Sequence, residues 1–410
     1  MTERPLLIRY LLLHAYGMGG TIRTVITQAN ALAEAGHRVE LVSVLRRRDQ
    51  PHFDVDPRVR MSALADLRRP ARQARAALAR EAAGLPAGPL RRLGRWRAAR
   101  RAEGPPRHIP RSEAGHRAVS RWIEEAVTGW MAGLQDGVLV TTRPALNLLS
   151  ARFATGGVLR VGQEHVNLAA HRADLRAAIV RWYPRLDAVA VLTARDAEEY
   201  ARRIPGLRVE RVPNAVHSLR QKPSTCASHI AVAAGRLRPQ KGFDLLIPAF
   251  GEAVAEFPDW QLRIFGAGDR HRQLRRLIDR HHLYNHVFLM GGTGRLDEEM
   301  AKASMFVLSS RHEGLPMVLL EAMSHGLPVV SFDCPTGPAD VLTDGRDGVL
   351  VPPENVPALA AAMRRLMADE TLRAELGDRA LATVRAYSPE AVARQWEELF
   401  AELLGRAARV

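Results

Sequence analysis

The 410-residue chain has only two cysteines, Cys226 and Cys334. That excludes a disulfide framework and suits a reducing compartment, with each thiol expected to be a small buried hydrophobe. No stretch reaches the roughly 18 consecutive apolar residues that a membrane-spanning helix requires. The opening run in MTERPLLIRYLLLHAYGMGG is interrupted by Arg9, is followed by no small-residue cleavage site and leads into a glycine turn. It reads as a core strand rather than a signal peptide. HExxH and paired CxxC motifs are missing, so no metal and no other cofactor is expected. The glycines after the first strand do not spell GxGxxG, and no short-period repeat is visible.

What the chain does have is a 47% hydrophobic share and a net charge of +15. At roughly 100–200 residues per domain, the length predicts two domains with sizeable cores. The charge is concentrated: Ala65 to Arg121 carries 15 Arg/Lys against 4 Asp/Glu, a net +11. A local basic patch is therefore favoured over a diffuse nucleic-acid-binding surface, and no specific nucleic acid is expected as a partner. Within this segment RRPARQARAALAREAAGL reads as a helix, ended by GLPAGPL. It is either a solvated helix pair or a surface for anionic lipid, and Trp96 among the arginines leans toward the membrane.

Elsewhere short apolar runs alternate with helical patterns. Strands are predicted at 6–14, 38–45, 137–142, 158–163, 188–193 and 209–213, then at 230–235, 261–266, 287–291, 305–310, 328–332 and 348–352. This alternation predicts α/β architecture, two doubly wound Rossmann-like domains with parallel sheets. The expected limits are 1–216 for the first domain, with a basic insertion at about 65–120, and 230–390 for the second. The aperiodic stretch HSLRQKPSTCASH (217–229) is the predicted linker, and 391–410 is predicted to be a terminal helix packing back toward the first domain.

Four stretches carry chemistry. In RHEGLPMVLLEAMSHGLPVV, Pro316 suits the first turn of a helix and Gly326 its end. Glu321 then falls mid-helix among Met317, Val318, Leu319, Leu320, Ala322 and Met323. A carboxylate so placed needs a partner, either an internal salt bridge or a ligand diol. Glu313 stands at the helix entrance, where backbone N–H groups favour an anion. In AAGRLRPQKGFDLLIPAF, Arg236 and Lys241 lie on the loop between a strand and a helix beginning near Phe243. Two cations at the carboxyl edge of an open sheet suit a diphosphate. In HAYGMGGTIRTVITQ, Gly19 and Gly20 permit close backbone approach to a phosphate or sugar. In VLRVGQEHVN, His165 follows a strand and is either structural or catalytic.

The ordered set GMGG, QEH, VPNAV, AAGRLRPQKG, FGAG, SSRHEGLPMVLLEAMSHGLPVVSFD and DGRDGVLVPP resembles family 4 of the retaining glycosyltransferases, which have the GT-B fold of two Rossmann-like domains facing across a cleft. It spans most of the chain outside 65–120. The resemblance implies that Glu313 contacts the donor sugar and Glu321 the ribose hydroxyls. It implies that Arg236 and Lys241 hold the diphosphate, with Gly314 and Leu315, ahead of Pro316, offering N–H groups near the leaving phosphate. Gly266 of FGAG would belong to the substrate site, Gly19 and Gly20 would approach the phosphate, and His165 would sit by the sugar and acceptor. Where the family commonly has a glutamate after the paired glycines, this chain has Thr21-Ile22-Arg23. The implied partners are a nucleotide sugar, with UDP favoured, and a glycan, lipid-linked or small-molecule acceptor. The implied location is the cytoplasm, on the inner face of the cell membrane if the basic segment binds lipid. A GT-B epimerase or phosphorylase-like enzyme is the nearest alternative, and a non-catalytic lipid- or nucleic-acid-binding protein the alternative of another class.

Overall fold

The computed structural model describes residues 5–68 and 103–407, apart from 156, 218 and 220. The helix expected in the basic segment, and Trp96 with it, lie outside the described residues. The chain forms two compact units, Met1–Val212 with Val392–Val410, and Pro213–Ala391.

The first unit is a seven-stranded sheet of β1 (Leu7–Leu12), β2 (Arg38–Arg46), β3 (Arg60–Asp66), β4 (Val138–Thr141), β5 (Leu159–Gln163), β6 (Ala188–Val191) and β7 (Val209–Arg211), in the order β3-β2-β1-β4-β5-β6-β7. The second is a six-stranded sheet of β8 (Ile230–Ala234), β9 (Gln261–Phe265), β10 (Val287–Gly291), β11 (Met305–Leu308), β12 (Val329–Phe332) and β13 (Gly348–Val351), in the order β10-β9-β8-β11-β12-β13. Every strand pair is parallel. Helices cover both faces of such sheets, which is why β4, β6, β11 and β12 are buried at every residue and are apolar apart from Thr141 and Ser331.

Each predicted strand is present, with its ends within two residues of those expected. β3 went unread. It is an edge strand whose sequence, RMSALAD, mixes small and polar residues and buries only Ala65 fully.

In both units strand order reverses beside the first strand, at β1/β4 and at β8/β11. The loops leaving those strand ends diverge and leave a crevice, the usual ligand position in open α/β sheets. The helices that frame these crevices are α1 (Gly20–Glu34) in the first unit, and α2 (Phe243–Val254) and α3 (Met317–Ser324) in the second.

The expected linker 217–229 is not one. The second unit already begins at Pro213, and the stretch is packed within it. The Ser224 amide donates to His325 O at 2.7 Å, and Cys226 is buried with its carbonyl accepting from Arg373 Nε at 2.9 Å. The terminal helix, α4 (Pro389–Ala407), belongs to the first unit from Val392 onward. There Trp396 is fully buried edge-on to Tyr10, with ring centroids 6.5 Å apart, and Glu397 meets His37 Nε2 at 2.9 Å. Among the described residues no helix is long and apolar enough to cross a membrane.

Candidate active site

In the second unit, the loop after β8 and the loop after β11 are tied together. Ser309 Oγ donates to Lys241 O at 2.9 Å, the Arg311 amide to Gln240 O at 2.8 Å, and Gln240 Nε2 to His312 O at 3.0 Å. Arg311 adds a bidentate pair to Asp244 at 2.9 and 2.8 Å and a bond to Pro239 O at 2.7 Å. The guanidinium holds the Asp244 carboxyl below the usual carboxylate range. Two glycines permit this closeness. Gly242 has φ 63°, and a Cβ there would lie 1.9 Å from Ser309 O. Gly266 has φ 146°, and a Cβ there would lie 1.8 Å from Gly235 O. Only glycine fits either position.

These ties place Lys241 Nζ 2.6 Å from Glu313 Oε1, and Ser310 Oγ donates to the same oxygen at 2.6 Å. Glu313 is 8% exposed, so this is a nearly desolvated cation–carboxylate pair at the sheet edge. Cys334 lies close enough that the Glu313 charge, added to burial, pushes its thiol up to about 12 and keeps it protonated. Arg236, on the same loop as Lys241, is exposed. Gly314 and Leu315 lead through Pro316 into α3. Among the described residues, the amides of Gly314, Leu315, Met317 and Val318 have no acceptor. Unsatisfied N–H groups at a helix start favour an anion. The expected site residues of the second unit therefore converge on one sheet edge.

Glu321 departs from its expected setting. The buried face of α3 carries Leu319, Leu320, Ala322 and Met323, whereas Glu321 shares a half-buried face with Met317 and Val318, one turn away. Its side chain is 17% exposed, with Oε1 3.9 Å from His217 Nδ1, and His217 Nε2 is 3.6 Å from Asp297 Oδ2. The sequence pattern had surrounded it with apolar residues because every neighbour in the one-dimensional order is apolar. The helix turns it away from them.

In the first unit, Gly19, Gly20 and His165 line one cavity of about 590 Å³, together with Glu113, Arg143 and Glu164. Thr21 and Ile22 of the departing motif line it too, while Arg23 lies over the Phe53 ring, 5.9 Å from its centroid. Arg143 Nε and one terminal nitrogen meet Glu113 Oε1 at 2.9 and 2.6 Å, and Glu113 is buried. Glu164, also buried, accepts from Asn147 Nδ2 at 2.7 Å and from the Tyr183 hydroxyl through Oε1. Its other oxygen is buried without a partner, as is His165 Nε2. Burial raises the Glu164 carboxyl to about 8, while burial and the Arg143 charge lower His165 to about 4. Near pH 7 the two are adjacent, titratable and both uncharged. Such groups can exchange hydrogen bonds with hydroxyls without the cost of burying a charge.

Glu113, Arg143, Glu164, Ser310 and His217 were not singled out in the sequence. Glu164 and Ser310 stand inside quoted motifs, and Arg143 follows a strand end, which is the available signal for each. Glu113 carries none, because its importance depends on a pairing 30 residues away. Among the described residues no group of three or more His, Cys, Asp and Glu side chains is placed to hold a metal ion.

Two doubly wound parallel α/β sheets are the architecture of the GT-B fold. Residues 220–383 match the family model of glycosyl transferases, group 1. An exopolysaccharide phosphotransferase of Streptomyces coelicolor is 35% identical over 97% of this chain, but the chain spans only 41% of that protein's length. The amylovoran biosynthesis glycosyltransferase AmsD of Erwinia amylovora is 29% identical over 64% of this chain and 77% of its own. Among solved structures, TarM superposes with a TM-score of 0.74 at 16% identity, covering 97% of this chain and 99% of that one. HepE of Anabaena, solved with UDP-glucose, gives 0.68 at 16% identity, covering 97% and 100%. Through residues 220–383, the second unit carries the match to the group 1 glycosyl transferases.

Proposed function

We propose that the chain is a retaining, metal-independent glycosyltransferase of family 4. It would move a hexose or N-acetylhexosamine from a UDP-sugar to a glycan, lipid-linked or small-molecule acceptor of the cell envelope. The observation that carries this reading is the Lys241–Glu313 pair, 2.6 Å apart beside the unsatisfied amides of α3. Breaking a sugar–diphosphate bond builds negative charge on the leaving group. A preplaced ammonium and fixed N–H groups stabilise that charge without reorganising. Arg236 supplies a second cation for the diphosphate, Glu313 an acceptor for sugar hydroxyls, and Glu321 an acceptor for the ribose diol. Gly19 and Gly20 keep the start of α1 open to a phosphate, and neutral His165 orients sugar and acceptor. The UDP-glucose bound to HepE supports the choice of carrier.

The test is UDP release from a panel of nucleotide sugars, with and without chelator. UDP release unaffected by chelator is expected. Interconversion of the sugar without UDP release would instead identify an epimerase. Turnover abolished by chelator and restored by magnesium or manganese would overturn the metal-independent mechanism.

A further inference from the structure

A second cavity, of about 430 Å³, adjoins the first in unit one and shares Leu13, His14, Ala114 and Arg143 with it. Its lining includes Arg47, Arg48 and Arg143 and no Asp or Glu. Arg47 and Arg48 are exposed, and neither has an ion-pair partner among the described residues. Asp49, next in sequence, and Asp66, opposite Arg46 on β3, are already committed, since both pair with Arg68. The turn bearing the two arginines is pinned: Arg46 lies over the Tyr16 ring at 4.6 Å and donates to Asp49 O at 2.7 Å and Arg48 O at 3.3 Å. His14 is the partition between the cavities. Gly17 makes room for it, since a Cβ there would be 2.9 Å from His14 Nδ1. Burial, then the charges of Arg143 and Arg47, lower its pKa.

One cavity thus offers the hydrogen-bonding groups Glu164 and His165, and its neighbour offers the guanidiniums of Arg47 and Arg48, with Arg143, already paired to Glu113, at the boundary between the two. A ligand matching both has hydroxyls at one end and a multiply charged anion at the other. We propose that the acceptor is a phosphate ester of a polyol or sugar, with its phosphate held by Arg47, Arg48 and Arg143 and its reacting hydroxyl in the cavity of Glu164 and His165. Planar guanidiniums pair bidentately with oxyanions, and several of them together match the oxygens of a phosphate, which has more acceptors than a carboxylate. The inference rests on the transferase reading for the fate of that hydroxyl, but the binding it requires can be measured separately.

The experiment is calorimetric titration of the full chain with glycerol phosphate oligomers, with a detergent-dispersed polyprenyl phosphate sugar, and with the matching phosphate-free compounds. Binding to either phosphate compound and not to its neutral counterpart is expected. Which of the two binds distinguishes a soluble from a lipid-linked source. Replacing Arg47→Gln and Arg48→Gln together, both at exposed positions, should weaken binding about tenfold or more, as loss of charge-assisted hydrogen bonds implies. Arg60→Gln, an exposed charge elsewhere on the unit, should leave it unchanged. Equal binding of neutral compounds, preference for a uronic acid, or an unaffected double variant overturns the proposal. Phosphate-dependent binding without UDP release from any donor supports this pocket and removes the transferase reading. UDP release to neutral acceptors alone does the reverse.

Discussion

Glu164 and His165 are neighbours in sequence with opposite titration behaviour. The Glu164 carboxyl is raised from 4.5 to about 8, so the folded state binds its proton more tightly than the unfolded state. Its contribution to stability is complete below about pH 4.5 and is lost as pH rises toward 8. His165 is lowered from 6.5 to about 4, so its contribution is complete above pH 6.5 and is lost as pH falls toward 4. The groups facing Glu164 are Asn147, Tyr183, Glu113 and Arg143, with burial the dominant cause of its shift. Glu164→Gln keeps an uncharged group with one acceptor and one donor. Urea unfolding of the parent should show stability falling between about pH 6.5 and 8, where His165 no longer opposes the Glu164 slope, and the variant should lack that fall. Parallel profiles would mean that the carboxyl is ionised in the fold. In the second unit, Glu321 is assigned to ribose, which does not change charge during transfer. Glu321→Gln should raise the donor KM about 10- to 100-fold, the equivalent of a charged hydrogen bond, and largely spare kcat. On the proposed reaction Lys241 would face charge that grows as the diphosphate leaves, so Lys241→Ala should cost roughly 10²–10³ in kcat. Steady-state kinetics on folded variants checks this, and the opposite pattern would reverse the two roles.

At the scale of elements, the site depends on two loops acting as one. Arg311 is the main tie, reaching α2 through Asp244, the 3-10 turn through Pro239 O, and Glu354 at 2.9 Å. Its bonds hold the loop that carries Lys241. A lysine keeps the charge but not the planar fork. Arg311→Lys should therefore fail to rescue donor affinity, while costing only about 1–2 kcal/mol in stability at this partly exposed position. The Asp244 carboxyl is depressed, so the pair's contribution is present above its ordinary value near 3.8 and disappears as pH falls below it. The parent and Arg311→Lys should converge in stability in acid. A constant gap from pH 7 down to pH 3 would show that the difference comes from packing. The pattern of strand and helix that creates these loops was legible in sequence, because two-sided burial forces continuous apolar runs. The ties between loops were not, since Arg311 and Asp244 are 67 residues apart and nothing local marks them as partners.

At the scale of the molecule, each unit has its own core, built around Trp260, Phe250 and Ile264 in the second and around Leu139, Val127 and Leu149 in the first. Separate cores predict separate unfolding, and the donor residues assigned to α3 and its loops all lie in the second unit. Calorimetry should resolve two transitions, and UDP at about 100 times its Kd should stabilise one of them by about 2.7 kcal/mol. A UDP shift confined to the transition that Trp396→Phe also shifts would place the nucleotide in the first unit and sink the assignment. The sequence by itself determined the parallel α/β architecture, the positions of nearly all strands, and the cations and carboxylates at strand ends. These follow from hydrophobic periodicity and from chemistry carried in short motifs. Only the tertiary structure decided that Ser224 and Cys226 of the expected linker pack within the second unit, that Glu321 lies on the half-buried face of α3, and that the Glu164 carboxyl is buried with one oxygen unpartnered. Each depends on burial or on partners far along the chain, and those quantities exist only once the strands have assembled.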